Sequence, residues 1–213
     1  MPRPCFKIER DFPEPLAGVD EAGCGPLAGP VVAAAVVLDR AKFPRGIDDS
    51  KALTAAERES LYKRIREQAR GVGVGIASVE EIDSLNIYWA RMLAMTRAVD
   101  ALGFNPAFVL VDGNRAPRWK RPSNAVVSGD AKCRSIAAAS IVAKVTRDRI
   151  MVDLAVQHPS YNWASNKGYG TPCHRRALAE HGVTSLHRRS FLPVQRAMEA
   201  AVSQTSHTAT ASV

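Results

Sequence analysis

Leu16-Ala-Gly-Val-Asp-Glu-Ala22, Gly23-Cys-Gly-Pro26 and Val31-Val-Ala-Ala-Ala-Val-Val-Leu38 follow one another near the start of a 213-residue chain. Apolar runs rich in β-branched residues, separated by glycine and proline, read as two strands joined by a tight turn. The acidic pair Asp20-Glu21 stands where the first strand ends or is interrupted. Everything downstream is organised around that pair.

Outward from it, Gly46-Ile-Asp-Asp-Ser-Lys51 reads as a loop. Thr54-Ala-Ala-Glu57 is a capping box that opens an amphipathic helix running to about Ala69. Gly71-Val-Gly-Val-Gly-Ile-Ala77 alternates small and apolar residues, as a strand packed closely on its neighbours does. Ser78 caps a short acidic turn, and a longer helix is expected from Ile87 to Leu102, ended by Gly103. Ala107-Phe-Val-Leu-Val-Asp-Gly113 and Asn124-Ala-Val-Val-Ser-Gly-Asp130 each read as a strand ending in an acid. Ile136 to Val156 is a long alanine-rich helix. Past Pro159 the chain turns basic and loop-rich, with short helices near His174–Glu180 and after Pro193. The order strand, strand, helix, strand, helix, strand, strand, helix predicts the α/β class, a mixed sheet with helical cover. The expected division is an N-terminal extension over 1–15, one domain over 16–202 whose helical C-terminal region begins near 159, and a disordered Ser/Thr/Ala tail over 203–213.

Composition narrows the class of function. Residues 1–130 hold 18 Lys and Arg against 17 Asp and Glu, and residues 131–213 hold 11 against 4. A near-neutral body beside a strongly basic C-terminal part fits a polyanion footprint, or simply a solvated basic surface. Cys5, Cys24, Cys133 and Cys173 form no C-x-x-C pair and no zinc spacing with the five histidines, so free thiols are expected. No apolar run approaches the roughly 18 residues that a membrane span needs. The charged first 15 residues lack the apolar core of a secretory signal, so a cytoplasmic location is expected.

Asp20, Glu21, Asp112 and Asp130 recur in one setting, at strand ends, where ligand sites of open α/β sheets gather. Four carboxylates brought together repel unless a cation joins them, and oxygen donors suit Mg²⁺ or Mn²⁺. Two such ions about 4 Å apart can clamp a phosphoryl displacement. Taken singly, each acid is equally a loop residue. Gly23, Gly25 and Ala28 fit a loose dinucleotide spacing, but the cluster leads into a strand, and two adjacent carboxylates repel a pyrophosphate. Bare glycine backbone instead offers N–H groups to sugar or phosphate oxygens.

The motif from Gly18 to Val31 resembles the signature of the bacterial ribonuclease HII family. Asp49-Ser-Lys51, Val111-Asp-Gly113, Gly129-Asp130, Ala138 to Asp148, Gly168-Tyr-Gly-Thr-Pro172 and His187-Arg-Arg-Ser-Phe191 extend the resemblance in order from about Ala17 to Val194. It implies an RNase H-like fold with a helical C-terminal region. It also implies endonucleolytic cleavage 5′ of ribonucleotides in RNA–DNA hybrids or singly embedded in duplex DNA. By that resemblance Asp20, Glu21, Asp112 and Asp130 are the catalytic, metal-binding acids for Mg²⁺ or Mn²⁺, two ions per site. Gly23, Cys24 and Gly25 recognise the ribose 2′-OH through the main chain, and Tyr169 packs on the following sugar. The 2′-OH is a sound discriminator, being donor and acceptor and absent from DNA.

Two departures stand out. The family usually has a basic residue between the two glycines, where this chain has Cys24, and it often has proline where this chain has Ser185. Cys offers only a weak donor, so a charge-assisted phosphate contact is lost there. Lys51 and Lys144 are candidate phosphate contacts; Lys144 equally pairs with Asp148 at i, i+4. His174, His181 and His187 read as structural or surface residues. The expected partner is nucleic acid, with no membrane and a monomer as default. A non-catalytic nucleic-acid-binding module, or a metal-dependent phosphohydrolase of small nucleotides, is the alternative.

Overall fold

The computed structural model describes residues 3–210, the last eight of them by backbone alone. The expectation of a tail over 203–213 therefore falls outside the residues described in full. A five-stranded sheet has the order β3-β2-β1-β4-β5, with β1 Leu16–Ala22, β2 Val31–Val37, β3 Gly71–Ala77, β4 Phe108–Asp112 and β5 Ser123–Val126. β1–β2 and β2–β3 are antiparallel; β1–β4 and β4–β5 are parallel. This is the mixed sheet the element order predicts.

Strand periodicity divides the core in two. Val31, Ala33, Ala35 and Val37 face helix α2 (Val79–Asp100), joined by Ala17, Val19, Val109 and Val111. Ala34 and Val36 face the other way, towards α1 (Ala55–Gln68) and the long α3 (Arg134–Gln157). Small residues let these layers close. A β-carbon on Gly18 would stand 2.2 Å from the Ser135 carbonyl carbon of α3, and one on Gly75 would stand 2.1 Å from the Ala94 oxygen of α2. The alternating glycines of β3 thus mark where α2 lies against the sheet.

Helix starts follow their caps. Thr54 accepts from the Glu57 amide while the Glu57 carboxylate accepts from the Thr54 amide, and Ser78 and Glu81 repeat that box at α2. α2 is interrupted at Asn86 (φ 66°), whose side chain accepts from the Tyr88 amide, so a second helical segment starts at Ile87 as expected. Two expectations need correction. The connection between β1 and β2 is a broad eight-residue loop, 23–30, and not a tight turn. β5 stops at Val126, so Asp130 lies in the turn leading into α3 and not at a strand end; Ser128 there adopts φ 55°, which breaks the extended run.

The basic C-terminal region forms a helical annex of α4 (Trp163–Asn166), α5 (Pro172–His181) and α6 (Leu192–Thr210). Trp163, Tyr161, Leu178 and Val194 pack with Leu27, Ala28 and Met151 in a separate small core. Among the described residues, no helix is long and apolar enough to cross a membrane.

Candidate active site

β1 delivers Asp20 and Glu21 to opposite faces of the sheet, as adjacent strand residues must be. Asp20 is turned towards α3, where the nearby Ser140 hydroxyl favours its ionised form, and Glu21 towards α2, where Arg91 Nη1 donates to Glu21 Oε1 at 3.1 Å. Parallel pairing runs to Val19↔Val111. One step further come Asp20 and Asp112, on strands about 4.8 Å apart. Asp112 Oδ1 accepts from the Gly129 amide at 2.6 Å and from the Asp130 amide at 3.4 Å, which brings the turn bearing Asp130 alongside. Glycine at 129 eases the close approach, since a β-carbon there would stand 3.0 Å from the Val126 oxygen and 3.2 Å from Asp112 Oδ1.

All four carboxylates line one cavity of about 260 Å³, together with Lys51, Lys144, Tyr169 and Gly23. Cys24 and Gly25 follow Gly23 on its rim, and Gly25 lies 3.8 Å, measured from an added β-carbon, from the Tyr169 ring. Lys51 Nζ donates to Asp130 Oδ2 at 3.1 Å, which raises the lysine's pKa. Lys144 Nζ donates to Asp148 at 2.8 Å and also lies 6.0 Å from the Tyr169 ring centroid, so it has both a partner and a place in the cavity. Tyr169 is 43% exposed. The imidazoles of His174 and His187 are buried away from the cavity, against Trp163.

The electrostatics favour a cation. Burial, then repulsion from Glu21 and Asp112, holds the Asp20 carboxyl well above the usual range. Burial also raises Glu21, against the opposing pull of Arg91. Asp112 is raised by burial and by Asp130, against the Gly129 amide. Glu21 Oε2 is buried without any hydrogen-bond partner among the described residues. A hard divalent cation answers both features, because it supplies positive charge and takes oxygen ligands. Among the described residues, no three of the His, Cys, Asp or Glu side chains stand close enough, as placed, to hold a metal ion together.

Several contacts here are not readable in the sequence, even where a quoted motif contains the residue. Arg91 reaches Glu21 from 70 residues away. Ser50 and Ser140 pair through their hydroxyls at 2.8 Å beneath Asp20. Arg147 and Arg188, both fully buried, hold the carbonyls of the 23–30 loop. Charge at these positions looks like ordinary surface until the tertiary structure turns it inward.

Comparison with known proteins converges on one family. The family model described as Ribonuclease HII matches residues 17–194. A Ribonuclease HII of Rhizorhabdus wittichii is 67% identical over 194 residues, covering 91% of this chain and 96% of that one. One from Paracoccus denitrificans is 59% identical over 182 residues, covering 85% and 86%. Among solved structures, ribonuclease H2 from Pyrococcus horikoshii OT3 matches with a TM-score of 0.77 at 28% identity, over 87% of this chain and 97% of its own.

Proposed function

The chain belongs to the ribonuclease HII family, and from that premise we propose that it cleaves the RNA strand of RNA–DNA hybrids and nicks duplex DNA 5′ of a single embedded ribonucleotide. As a family member with this fold it is an endoribonuclease of ribonuclease H type, a phosphodiester hydrolase. The finer reading is supported above all by one arrangement: four carboxylates in a single cavity whose rim carries a glycine turn and an exposed tyrosine.

In this reading Asp20, Glu21, Asp112 and Asp130 hold two divalent cations, Mg²⁺ or Mn²⁺. Bound there, the cations supply charge stabilisation to the scissile phosphate and acidify the attacking water. The protein's own part is positioning. Asp112 is fixed by the 129–130 amides and Asp20 by the Glu21 amide, so the carboxylates stay aimed without the substrate. The turn at Gly23, Cys24 and Gly25 presents amides to the ribose 2′-OH, and Tyr169 packs on the sugar that follows. Lys51, paired with Asp130 in the cavity, and Lys144 would offer their ammonium groups to phosphates of the substrate strand. Products carry 3′-OH and 5′-phosphate ends.

The test is a DNA duplex carrying one ribonucleotide, incubated with the protein and Mg²⁺ or Mn²⁺. A nick on the 5′ side of that residue, lost without the cation, is the expected result. Binding without nicking would leave a nucleic-acid-binding module, and hydrolysis of mononucleotides alone a small-molecule phosphohydrolase.

A further inference from the structure

The loop that follows Glu21 is gripped from behind. Arg188 Nη2 donates to the Gly23 carbonyl at 2.6 Å and to Pro30 O at 3.2 Å; Nη1 donates to Cys24 O at 3.0 Å and Nε to Gly29 O at 2.9 Å. Arg147 grips the same loop through Pro30 O at 3.0 Å and Ala28 O at 3.1 Å, and extends to Lys167 O at 3.0 Å, two residues before Tyr169. A β-carbon on Gly23 would strike Arg147 Nε at 2.1 Å, so this glycine is required for the guanidinium to lie where it does. Neither arginine has an ion-pair partner among the described residues. Burying a cation without a carboxylate is costly, and a chain that only needed to tie down a loop has cheaper means.

Peptide planarity says what the grip achieves. In a trans peptide the N–H points opposite to the C=O. With the Gly23 and Cys24 carbonyls held on Arg188, the amides of Cys24 and Gly25 are turned away from it. Those two amides, with that of Gly23, donate to nothing among the described residues. A cation on a carbonyl also polarises its peptide, which strengthens the N–H on the far side as a donor.

We propose that Arg188 is the positioning residue for ribose recognition: its buried guanidinium aims and polarises the Cys24 and Gly25 amides that meet the substrate's 2′-OH. The inference rests on the reading of this turn given under the proposed function. Arg147 braces the same loop against the Tyr169 segment. Burial lowers the Arg188 guanidinium to about 9, and it stays charged at neutral pH.

The test compares equilibrium binding, in EDTA, of a DNA duplex with one ribonucleotide and of the same duplex all-deoxy. The wild-type protein should prefer the ribonucleotide duplex. Arg188→Lys, with fold checked by circular dichroism, should lose about tenfold of that preference while its affinity for the all-deoxy duplex and the salt dependence stay unchanged. An undiminished preference in the folded variant overturns the inference. If Arg188→Lys does not fold, Phe191→Leu decides, because it keeps the guanidinium and removes the ring 5.2 Å from it. A two- to threefold loss of preference, roughly, is then expected, and none overturns the inference. Equal affinity of the wild-type protein for both duplexes would overturn the turn reading and this inference together, while nicking at the ribonucleotide would still uphold the nuclease assignment.

Discussion

Glu21 keeps its two carboxylate oxygens in different circumstances. Oε1 accepts from Arg91 at 3.1 Å and from the Cys24 thiol at 3.5 Å, while Oε2 is buried without a partner. Its neighbour Asp20 is ionised only against burial and two nearby carboxylates. Because its folded pKa lies above the unfolded value, its contribution to stability is full below the unfolded pKa and is lost as pH rises through the folded one. Asp20→Asn should therefore abolish cleavage and leave the metal-free protein at least as stable as wild type at pH 8, by thermal melts. Saturating Mn²⁺ at about 100 times its Kd should stabilise the wild-type protein by about 2.7 kcal/mol, or about 5–10 °C, and the variant far less. Equal metal-induced shifts would count against Asp20 as a ligand. Cys24 supplies a second prediction. Burial, then Glu21, pushes its thiol up to about 12, so iodoacetamide should label exposed Cys5 and Cys173 well before Cys24, as read by peptide mass spectrometry. Asp20, Glu21 and Asp112 were legible because their motif and strand context are local. Arg188 stands in the quoted His187–Phe191 motif, but its task was not legible, because its acceptors are backbone carbonyls of residues 23–30, which no side-chain pattern announces.

At the scale of elements, local signals were read well and continuations poorly. The Thr54–Glu57 box lies where the sequence places it, because both partners sit within one turn of helix. β5 was over-extended, because the β-branched residues Val126 and Val127 mask the turn that Ser128 and Gly129 make. The alternating glycines of β3 have a measurable meaning. Gly75→Ala places a β-carbon 2.1 Å from backbone of α2, so it should destabilise the fold by about 1–3 kcal/mol in urea melts. The C-terminal annex gives a pH prediction. Trp163 Nε1 donates to His174 Nε2 at 3.1 Å, so that nitrogen is an acceptor and the His174 proton is on Nδ1, donating to Tyr169 O at 2.9 Å. His187 then donates from Nε2 to His174 and accepts at Nδ1 from the Thr184 amide at 3.0 Å. Both rings are neutral, and burial, then His174, lowers His187 to about 3. A depressed histidine contributes stability present above the unfolded pKa near 6.5, and that contribution is lost as pH falls towards about 3. Stability should thus decline from pH 6.5 downward, and His187→Asn should flatten that slope even if it is less stable at pH 7.5. An unaltered slope would show that other groups govern acid unfolding.

Across the whole molecule charge is unevenly spread: four carboxylates gather in one cavity, and the excess of cations belongs to residues 131–213, where Arg175, Arg176, Arg189 and Arg196 are exposed. Distributed surface cations hold a phosphate backbone without reading it. Arg175→Gln with Arg176→Gln should weaken binding to hybrid and all-DNA duplexes alike, and lower the slope of log K against log salt by about 1–2. Loss confined to ribonucleotide duplexes would place those arginines in recognition instead.

The clamp on the 23–30 loop also has a history in time. Arg188 N donates to Leu27 O at 2.8 Å and Gly29 N to Leu186 O at 2.9 Å, so the loop is stitched by residues about 160 positions later in the chain. A ribosome adding roughly 5–20 residues per second makes the acidic strand first and its stitching segment only some 10–30 seconds afterwards. Until then the 23–30 loop, which the proposed function assigns to ribose recognition, lacks the segment that stitches it. Contacts of such long sequence separation also form late in folding, since loop closure must precede them. On the proposed reading, choice of the ribose would thus depend on a segment made well after the acids that would do the cutting.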